Sequence, residues 1–352
     1  MAPREISRLR LAAQGLGRPR FDSPAAVVDW MTCMQSQEPR DALLAIALRS
    51  GAERLEPVRD AFARGEIVRS WPMRGTLHTV PAGDLGWMLA LTAARTLQGA
   101  SRRRKELGIG NRDLDAAVRV AQDTLAPPGL TRSRFVEELA AAGQDATGGR
   151  GYHLLFALAQ LGVICQGRFE GREQRFVLAD AWIASPRALE AEDAVSTWMI
   201  RYFRSHGPAT VADFRWWTKL LAREVAPVVD EVRRQLEAIT VDGEEYLMDP
   251  GTPDRARELG ADLDRPHLLP GFDEMVLGYG TRSATIADDH MPKVIPGNNG
   301  IFRPTLLIDG VAIGTWRRPR TAGAAVAVEP FKGRVAAKTL KRVQTQAALL
   351  PT

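Results

Sequence analysis

The feature that most constrains the fold of this chain is a recurring order of segments, in which helical patterns precede a β-hairpin pattern. The outline occurs at residues 4–85, 113–185 and 190–250 of the 352-residue sequence. Each copy has apolar residues at helical spacing, followed by two short β-rich runs around a turn. Because helices followed by a hairpin outline a winged helix, we predict tandem winged-helix units that repeat in structure more than in sequence.

The first outline begins with Ser23 as a helix N-cap and Pro24 at the first helical position. We predict that this helix is closed by Pro39, since the residue before a proline is disfavoured in the α region. A second helix is expected at 41–50. Strands are expected at 67–71 and 76–80, joined across residues 72–75.

The later outlines follow a predicted helical connector at 86–112. Helices are expected at 114–125, 132–142 (with Thr131 as N-cap) and 152–161, before a hairpin around the loop 167–173. The third outline has helices at 194–205, after Thr210 and at 227–236. Its hairpin turns at Asp242-Gly243, a strong signal for a two-residue turn.

The carboxy-terminal part of the sequence is more β-like, with strands expected at 276–279 and over 305–316, the latter turning at Asp309-Gly310. A basic helix is expected within 333–350. The predicted fold class is therefore α+β, with tandem winged-helix units and a β-rich carboxy-terminal segment. The predicted domains are 1–112 (first unit and connector), 113–189, 190–264 and 265–352.

Arginine dominates the cationic residues, because only six of the 47 Lys and Arg residues are lysine, and the net charge is +5. The arginine fork suits phosphate groups and guanine edges, although a GC-rich genome produces the same bias. Residues 301–352 hold nine cations against Asp309 and Glu329, a net charge of +7. This segment is either a footprint for backbone phosphates or a solvated helix face.

The two cysteines, Cys33 and Cys165, lie far apart in apolar surroundings and without CxxC spacing. We expect reduced core thiols rather than a disulfide or a zinc site. The first residues lack the apolar stretch of a signal peptide, and no apolar run approaches the roughly 20 residues that span a bilayer. We therefore expect a cytoplasmic protein with no membrane partner.

The sharpest local signal lies in residues 35–39 (QSQEP). In the middle of a helix, residues two apart point to different faces, but at a helix end broken by Pro39 both amides could turn toward one pocket. The alternative is that Gln35 and Gln37 are surface polar residues that finish a helix. The sequence contains no P-loop, HExxH, GxSxG or dinucleotide fingerprint to compete with this motif.

Other residues that bear polar chemistry give weaker signals. The five histidines are too scattered in sequence to suggest a metal cluster, and residues 288–290 (DDH) are better explained as an acidic loop. We therefore expect no metal site. Trp316, beside Arg317 and Arg318, is the best candidate for an aromatic side chain that meets nucleic acid, and a place in the core is the alternative.

Four blocks of the sequence occur in the same order in one known family. They are residues 35–40 (QSQEPR), 71–78 (WPMRGTLH), 268–279 (LLPGFDEMVLGY) and 299–310 (NGIFRPTLLIDG), the last followed by 314–318 (GTWRR). Over residues 5–330 the chain resembles the bacterial tandem winged-helix DNA glycosylases that unhook interstrand crosslinks, the AlkZ/YcaQ-like proteins. The tail after Pro330 departs from that family in being more basic.

The resemblance implies that Gln35 and Gln37 form the family's catalytic Gln-x-Gln motif and hold a water near C1′ of the damaged nucleotide. Bulky N7- or N3-alkylated purines are already cationic, so the leaving base needs little protonation. Glu38 is a candidate auxiliary carboxylate. No lysine lies near the motif, which favours a monofunctional hydrolase over a Schiff-base lyase, with no cofactor.

The resemblance also implies an open concave surface for lesion-containing double-stranded DNA. The residues expected to line it are Arg40, Arg69, Arg74, His78, Arg102, Arg103, Arg104, Lys105, Trp316, Arg317 and Arg318. We expect a monomer associated with the bacterial nucleoid. Two other classes of protein remain open: a transcription regulator that prefers one operator, and a scaffold for protein partners that shows no salt-dependent DNA binding.

Overall fold

The computed structural model describes residues 2–318 and 325–352, which divide into two compact units. The split unit consists of Met1–Pro57 with Val195–Thr352, and the middle unit is Val58–Ala194. Helices and small antiparallel sheets make up both units, so the predicted α+β class is confirmed. The four-domain division remains a prediction.

The split unit begins with helices α1 (Pro3–Ala13) and α2 (Pro24–Met31), the two-residue strand β1 (Met34–Gln35) and helix α3 (Pro39–Ser50). The hydroxyl of Ser23 accepts from the N–H of Ala26, which confirms the predicted N-cap. The predicted end of this helix is wrong. Helix α2 stops at Met31 because Thr32 has φ 68°, and Pro39 begins α3, where its fixed φ suits the first helical position.

The middle unit follows in the chain, and its first helix crosses the border between the units. Its elements are α4 (Glu56–Ala63), β2 (Ile67–Met73), β3 (Thr76–Pro81), α5 (Leu85–Gly99), α6 (Ser101–Glu106), α7 (Asn111–Thr124), α8 (Arg132–Ala141), α9 (Arg150–Gln160), β4 (Ile164–Glu170), β5 (Glu173–Leu178) and α10 (Ala179–Trp182). The connector and both hairpins are as predicted, except that β4 and β5 extend through most of the expected loop. Thr131 precedes α8, but its hydroxyl meets Ser133 instead of capping the helix.

Strands β2 to β5 form an antiparallel sheet in the order β3-β2-β4-β5. One face of the unit is closed by an apolar core that includes Trp71, Phe135, Phe156 and Phe176. Burial of such aromatic side chains is the main stabilising contribution of a core of this kind. The sheet formed by the two hairpins is therefore packed against a buried core.

The rest of the split unit returns at the carboxy-terminal end of the chain. Its elements are α11 (Ala191–His206), α12 (Val211–Thr218), α13 (Ala222–Val225), α14 (Val229–Arg233), β6 (Glu237–Val241), β7 (Glu244–Met248), α15 (Thr252–Leu259), β8 (Pro266–Leu269), α16 (Glu274–Leu277), α17 (Met291–Val294), β9 (Thr305–Ile308), β10 (Val311–Arg317), β11 (Ala327–Pro330) and α18 (Ala337–Ala347). Strands β8 to β11 form an antiparallel sheet in the order β11-β10-β9-β8, and β6 pairs with β7.

Local signals account for most of these carboxy-terminal elements. The predicted turns at Asp242-Gly243 and Asp309-Gly310 are confirmed, and all four residues have φ between 51° and 82°. The strand expected at 276–279 is wrong. Asp273 accepts from the N–H of Met275 and starts helix α16 there instead.

The predicted basic helix is confirmed as α18, and its apolar side packs into a core of the split unit. Val343 is buried there with Leu44, Leu268, Leu306 and Trp316. The carboxy-terminal residues continue along the same unit, since the N–H of Leu55 donates to the carbonyl of Thr352. The basic tail is therefore a docked part of the fold.

Candidate active site and nucleic-acid interface

The Gln-x-Gln segment lies outside any helix, between α2 and α3. Met34 and Ser36 are buried, Gln35 is half-buried and Gln37 is exposed. Such alternation is typical of an extended backbone, in which residues two apart share a face. The hydroxyl of Ser36 donates to the Met34 carbonyl at 3.0 Å, which places this small polar side chain on the inner face.

The backbone of the segment is attached to a buried carboxylate. Glu274 is 1% exposed, and its Oε1 accepts from the N–H of Gln35 at 2.7 Å. Its Oε2 accepts from the indole Nε1 of Trp217 at 3.0 Å. The imidazole Nε2 of His206 is 3.6 Å from the same oxygen, and burial lowers the pKa of His206, so that this ring is neutral at pH 7. A buried carboxylate is tolerated only when hydrogen-bond donors surround it. The N–H of Gln35 is one of these donors, so a strong hydrogen bond to Glu274 fixes the backbone of Gln35.

A second buried carboxylate secures the segment that carries Glu274. Asp273 forms a bidentate pair with Arg49, with both N–O distances at 2.9 Å and both side chains fully buried. The remaining donors of Arg49 are used as well, because Nη2 donates to Gln14 Oε1 and Nη1 to the Ala45 carbonyl. Gln14 in turn donates to the hydroxyl of Tyr279 at 3.0 Å. This network joins α1, α3 and the residues around α16 behind the motif.

A third carboxylate, Asp41, lies in the first turn of α3, four residues after Gln37. The N–H of Gly271 donates to it, and burial, with the nearby charge of Glu38, raises the pKa of Asp41 to about 6. Arg40 and Arg318 act on the carboxyl in the opposite direction. A carboxyl that titrates near neutrality beside a candidate motif is a functional-site signal that sequence patterns did not reveal.

Among the predicted DNA-contacting cations, the structure brings Arg40 and Arg318 together. Burial lowers the pKa of the half-buried Arg318, and the nearby charge of Arg40 lowers it further. Arg318 also donates to the carbonyl of Pro351 at 2.9 Å. Arg40 and Arg317 are exposed to solvent. This pair, distant in sequence, lies beside Asp41 and thus near the motif.

Three predicted DNA contacts are corrected by burial. Trp316 is 3% exposed and its Nε1 donates to the Leu269 carbonyl, so the core alternative holds. Arg69 is 7% exposed and donates to Gln166 and Gln174 of the same sheet. These side chains have no face left for phosphate or base edges.

His78 is the third corrected residue, since its side chain is fully buried. Arg74, in the turn between β2 and β3, lies 3.0 Å from Nε2 of His78. Because arginine only donates, Nε2 accepts, and Nδ1–H donates to the Thr76 carbonyl at 2.9 Å. His78 therefore shapes the hairpin turn, while Arg74 remains half-buried beside it.

The cationic run at 102–105 lies on helix α6 of the middle unit. Arg102, Arg103 and Lys105 are exposed, and Arg104 is half-buried. Glu106 pairs with Arg102 at 3.0 Å and with Arg103 at 3.1 Å, and such exposed pairs contribute little to stability. Four cations against one carboxylate leave this helix positively charged.

No three His, Cys, Asp or Glu side chains within 2–318 and 325–352 are grouped so as to hold a metal ion. No helix in that part of the chain is long and apolar enough to cross a membrane.

The chain has known relatives in both sequence and structure. Residues 28–351 match the family model described as DNA glycosylase AlkZ-like, so the chain belongs to the AlkZ-like family of DNA glycosylases. Among individual proteins, it is similar to the interstrand DNA cross-link repair glycosylase of Streptomyces sahachiroi, with 26% identity over 89% of this chain and 87% of the relative. The solved structure of the Streptomyces sahachiroi DNA glycosylase AlkZ is similar as well, with a TM-score of 0.80, 26% identity and coverage of 99% of this chain and 96% of that one.

Proposed function

We propose that this glycosylase hydrolyses the N-glycosidic bond of bulky alkylated or interstrand-crosslinked purines in double-stranded DNA. Support comes from its family and from its similarity to the cross-link repair glycosylase. The observation that carries the assignment of the site is the conformation of the Gln-x-Gln segment. Gln35, in strand β1, is half-buried and Gln37 is exposed, each after a buried residue, while the buried Glu274 accepts a hydrogen bond from the N–H of Gln35.

Gln35 and Gln37 position the attacking water in this mechanism. Each amide offers a carbonyl acceptor and an NH₂ donor, so the pair can orient a water toward C1′ of the damaged nucleotide. An N7- or N3-alkylated purine leaves with the electron pair of the C1′–N bond, which neutralises its own positive charge. The enzyme has to position the water and stabilise the cationic sugar.

The reaction stops at an abasic site, because the motif supplies no amine nucleophile. The first lysine of the sequence is Lys105, and no lysine lies near residues 35–37 in the chain. A Schiff-base lyase needs such an amine to attack C1′. The abasic product therefore remains intact until alkali or another enzyme cleaves it.

The exposed or half-buried cations bind the DNA backbone. Those in the split unit are Arg40, Arg317 and Arg318, and those in the middle unit are Arg74 and residues 102–105. Each contact with a phosphate releases counterions, so affinity falls as the salt concentration rises. Binding should show little preference for sequence, because backbone contacts carry no base information.

The test is incubation of the protein with a duplex containing N7-methylguanine and, separately, with an interstrand-crosslinked duplex, followed by alkaline cleavage at abasic sites. Strand breaks are expected with wild type and are lost in Gln35→Ala and Gln37→Ala. Gln98→Ala, a matched change at an exposed position of α5, should behave as wild type. If Gln37→Ala excises the base as fast as wild type, the assignment of the site is wrong.

A further inference from the structure

The hydrolysis proposed above leaves one proton without an acceptor. When the water oxygen bonds to C1′, the water must release a proton, and the amides of Gln35 and Gln37 are too weakly basic to hold it. A carboxylate near the motif would be a stronger base than water and would speed this step. Among the described residues, the carboxylates linked to the segment by sequence or by a hydrogen bond are Glu38, Asp41 and Glu274, with Asp273 beside the last.

Two of these carboxylates are engaged elsewhere. Asp273 is fully buried and its two oxygens are occupied by Arg49. Glu274 is 1% exposed, and its oxygens accept from the backbone of Gln35 and the indole of Trp217. Both carboxylates are therefore occupied by structural contacts. Glu38 is exposed to solvent, where its carboxylate is hydrated.

The remaining carboxylate, Asp41, is held closely against the loop that contains Gly271. The N–H of Gly271 holds it, and a Cβ on Gly271 would meet Asp41 Oδ2 at 2.7 Å and the Phe302 carbonyl at 2.8 Å. Only glycine fits between them. The same short segment, 271–274, therefore holds the Asp41 carboxylate at one end and the backbone of Gln35 at the other.

We propose that Asp41 is the general base of this glycosylase and accepts the proton of the water held by Gln35 and Gln37. The inference rests on the proposed function. As the C1′–N bond breaks, its electron pair leaves with the base. The water oxygen bonds to C1′, its proton moves to the Asp41 carboxylate, and solvent regenerates the carboxylate after the product departs.

The groups around Asp41 adjust its pKa for this role. Arg40 lies on the same helix and Glu38 at its N-cap. Arg318 follows strand β10, and the N–H of Gly271 comes from the loop before α16. Burial and Glu38 raise the pKa of Asp41 to about 6, against the two arginines and the hydrogen bond. The carboxyl is thus ionised at neutral pH and still basic enough to take a proton.

The experiment is the pH dependence of base excision under single-turnover conditions with saturating protein, on a duplex containing N7-methylguanine. The wild-type rate is expected to rise with pH through a limb near pH 6. Asp41→Asn should lower the rate at pH 7.5 by about 100-fold or more and abolish that limb. Asp41→Glu should restore part of the rate. Asp22→Asn, at an exposed position of the same unit, should leave rate and profile unchanged.

The neighbouring charges supply variants that keep Asp41 itself. Glu38→Gln should move the limb to lower pH, since Glu38 raises the pKa of Asp41, and Arg318→Gln should move it to higher pH. A merely structural aspartate would produce neither shift. Excision by Asp41→Asn with the wild-type pH limb overturns the inference alone. Absence of excision by wild-type protein on every duplex tested overturns the proposed function and this inference with it.

Discussion

Replacement of Glu274 by glutamine tests whether a buried carboxylate holds the Gln-x-Gln segment in place. The carboxylate accepts two donors, the N–H of Gln35 at 2.7 Å and the Nε1–H of Trp217 at 3.0 Å. Glutamine has one oxygen and one NH₂ group, so one buried donor would face another donor. An unsatisfied buried group costs about 1–3 kcal/mol, and loss of the ionic character of the other bond adds about 1 kcal/mol. We expect a total loss of about 2–4 kcal/mol in the free energy of unfolding.

The same substitution should affect catalysis beyond its effect on stability. Release of the Gln35 backbone lets the amides drift, and a misplacement of about 1 Å lowers a reaction rate about 100-fold. Urea denaturation followed by circular dichroism gives the stability, and single-turnover excision gives the rate. Tyr202→Phe is the control, because it removes another buried hydrogen bond of this unit, from the tyrosine hydroxyl to the Gly278 carbonyl at 2.7 Å. It should cost about 1 kcal/mol and leave excision intact.

Two results would refute this reasoning. Unchanged stability in Glu274→Gln would mean that the carboxylate is not a satisfied buried anion. An equal loss of excision in Tyr202→Phe would mean that any destabilisation of the unit disables the enzyme. In either case the contact between Glu274 and the Gln35 backbone would not be what positions the motif.

Three further predictions concern other parts of the chain. Burial lowers the pKa of His267 to about 4, so the free energy of unfolding should fall as the pH drops from 6.5 toward 4, by about 2 kcal/mol at pH 5. Urea denaturation at pH 7.5 and at pH 5 measures this loss, and His267→Asn should remove it. Gly271→Ala should lower the free energy of unfolding by about 1–3 kcal/mol and remove most of the excision rate, since its Cβ would lie 2.7 Å from the Asp41 carboxylate. A variant with wild-type stability and rate would show that the loop adapts freely. The variant R102Q/R103Q/K105Q neutralises the three exposed cations of α6. It should weaken DNA binding and reduce the slope of log affinity against log salt concentration by about 2–3, and an unchanged slope would exclude this helix from the interface.

Elements that depend on neighbours in the chain were predictable from the sequence. The hairpin turns at Asp242-Gly243 and Asp309-Gly310 and the helix start at Ser23 follow from backbone preferences of a few residues. The helix at 274–277 was missed because its apolar residues also suit a strand. The N-cap supplied by Asp273 makes this segment a helix, and the Asp273 carboxylate is oriented by Arg49, 224 positions away in sequence.

The residues that support the site could not be predicted for a similar reason. The motif itself could be proposed from the sequence, because two glutamines beside a proline form a local pattern. Glu274 and Asp41 gave no such pattern, since acidic residues are usually solvated wherever they occur in a sequence. Their roles depend on burial and on partners such as Trp217 and Gly271, which only the folded chain brings near. Likewise, burial decides that Trp316 belongs to the core.

The position of the motif outside a helix explains why these buried charges are needed. A helix would place residues two apart on different faces, whereas between α2 and α3 Gln35 and Gln37 alternate with the buried Met34 and Ser36. A buried N–H group in such a segment has to be satisfied. Glu274 satisfies one of them with an ionic acceptor, and the pair between Asp273 and Arg49 fixes the residue that precedes it. The proposed role of Gln35 and Gln37 thus gives a reason for two adjacent buried carboxylates that stability alone would not favour.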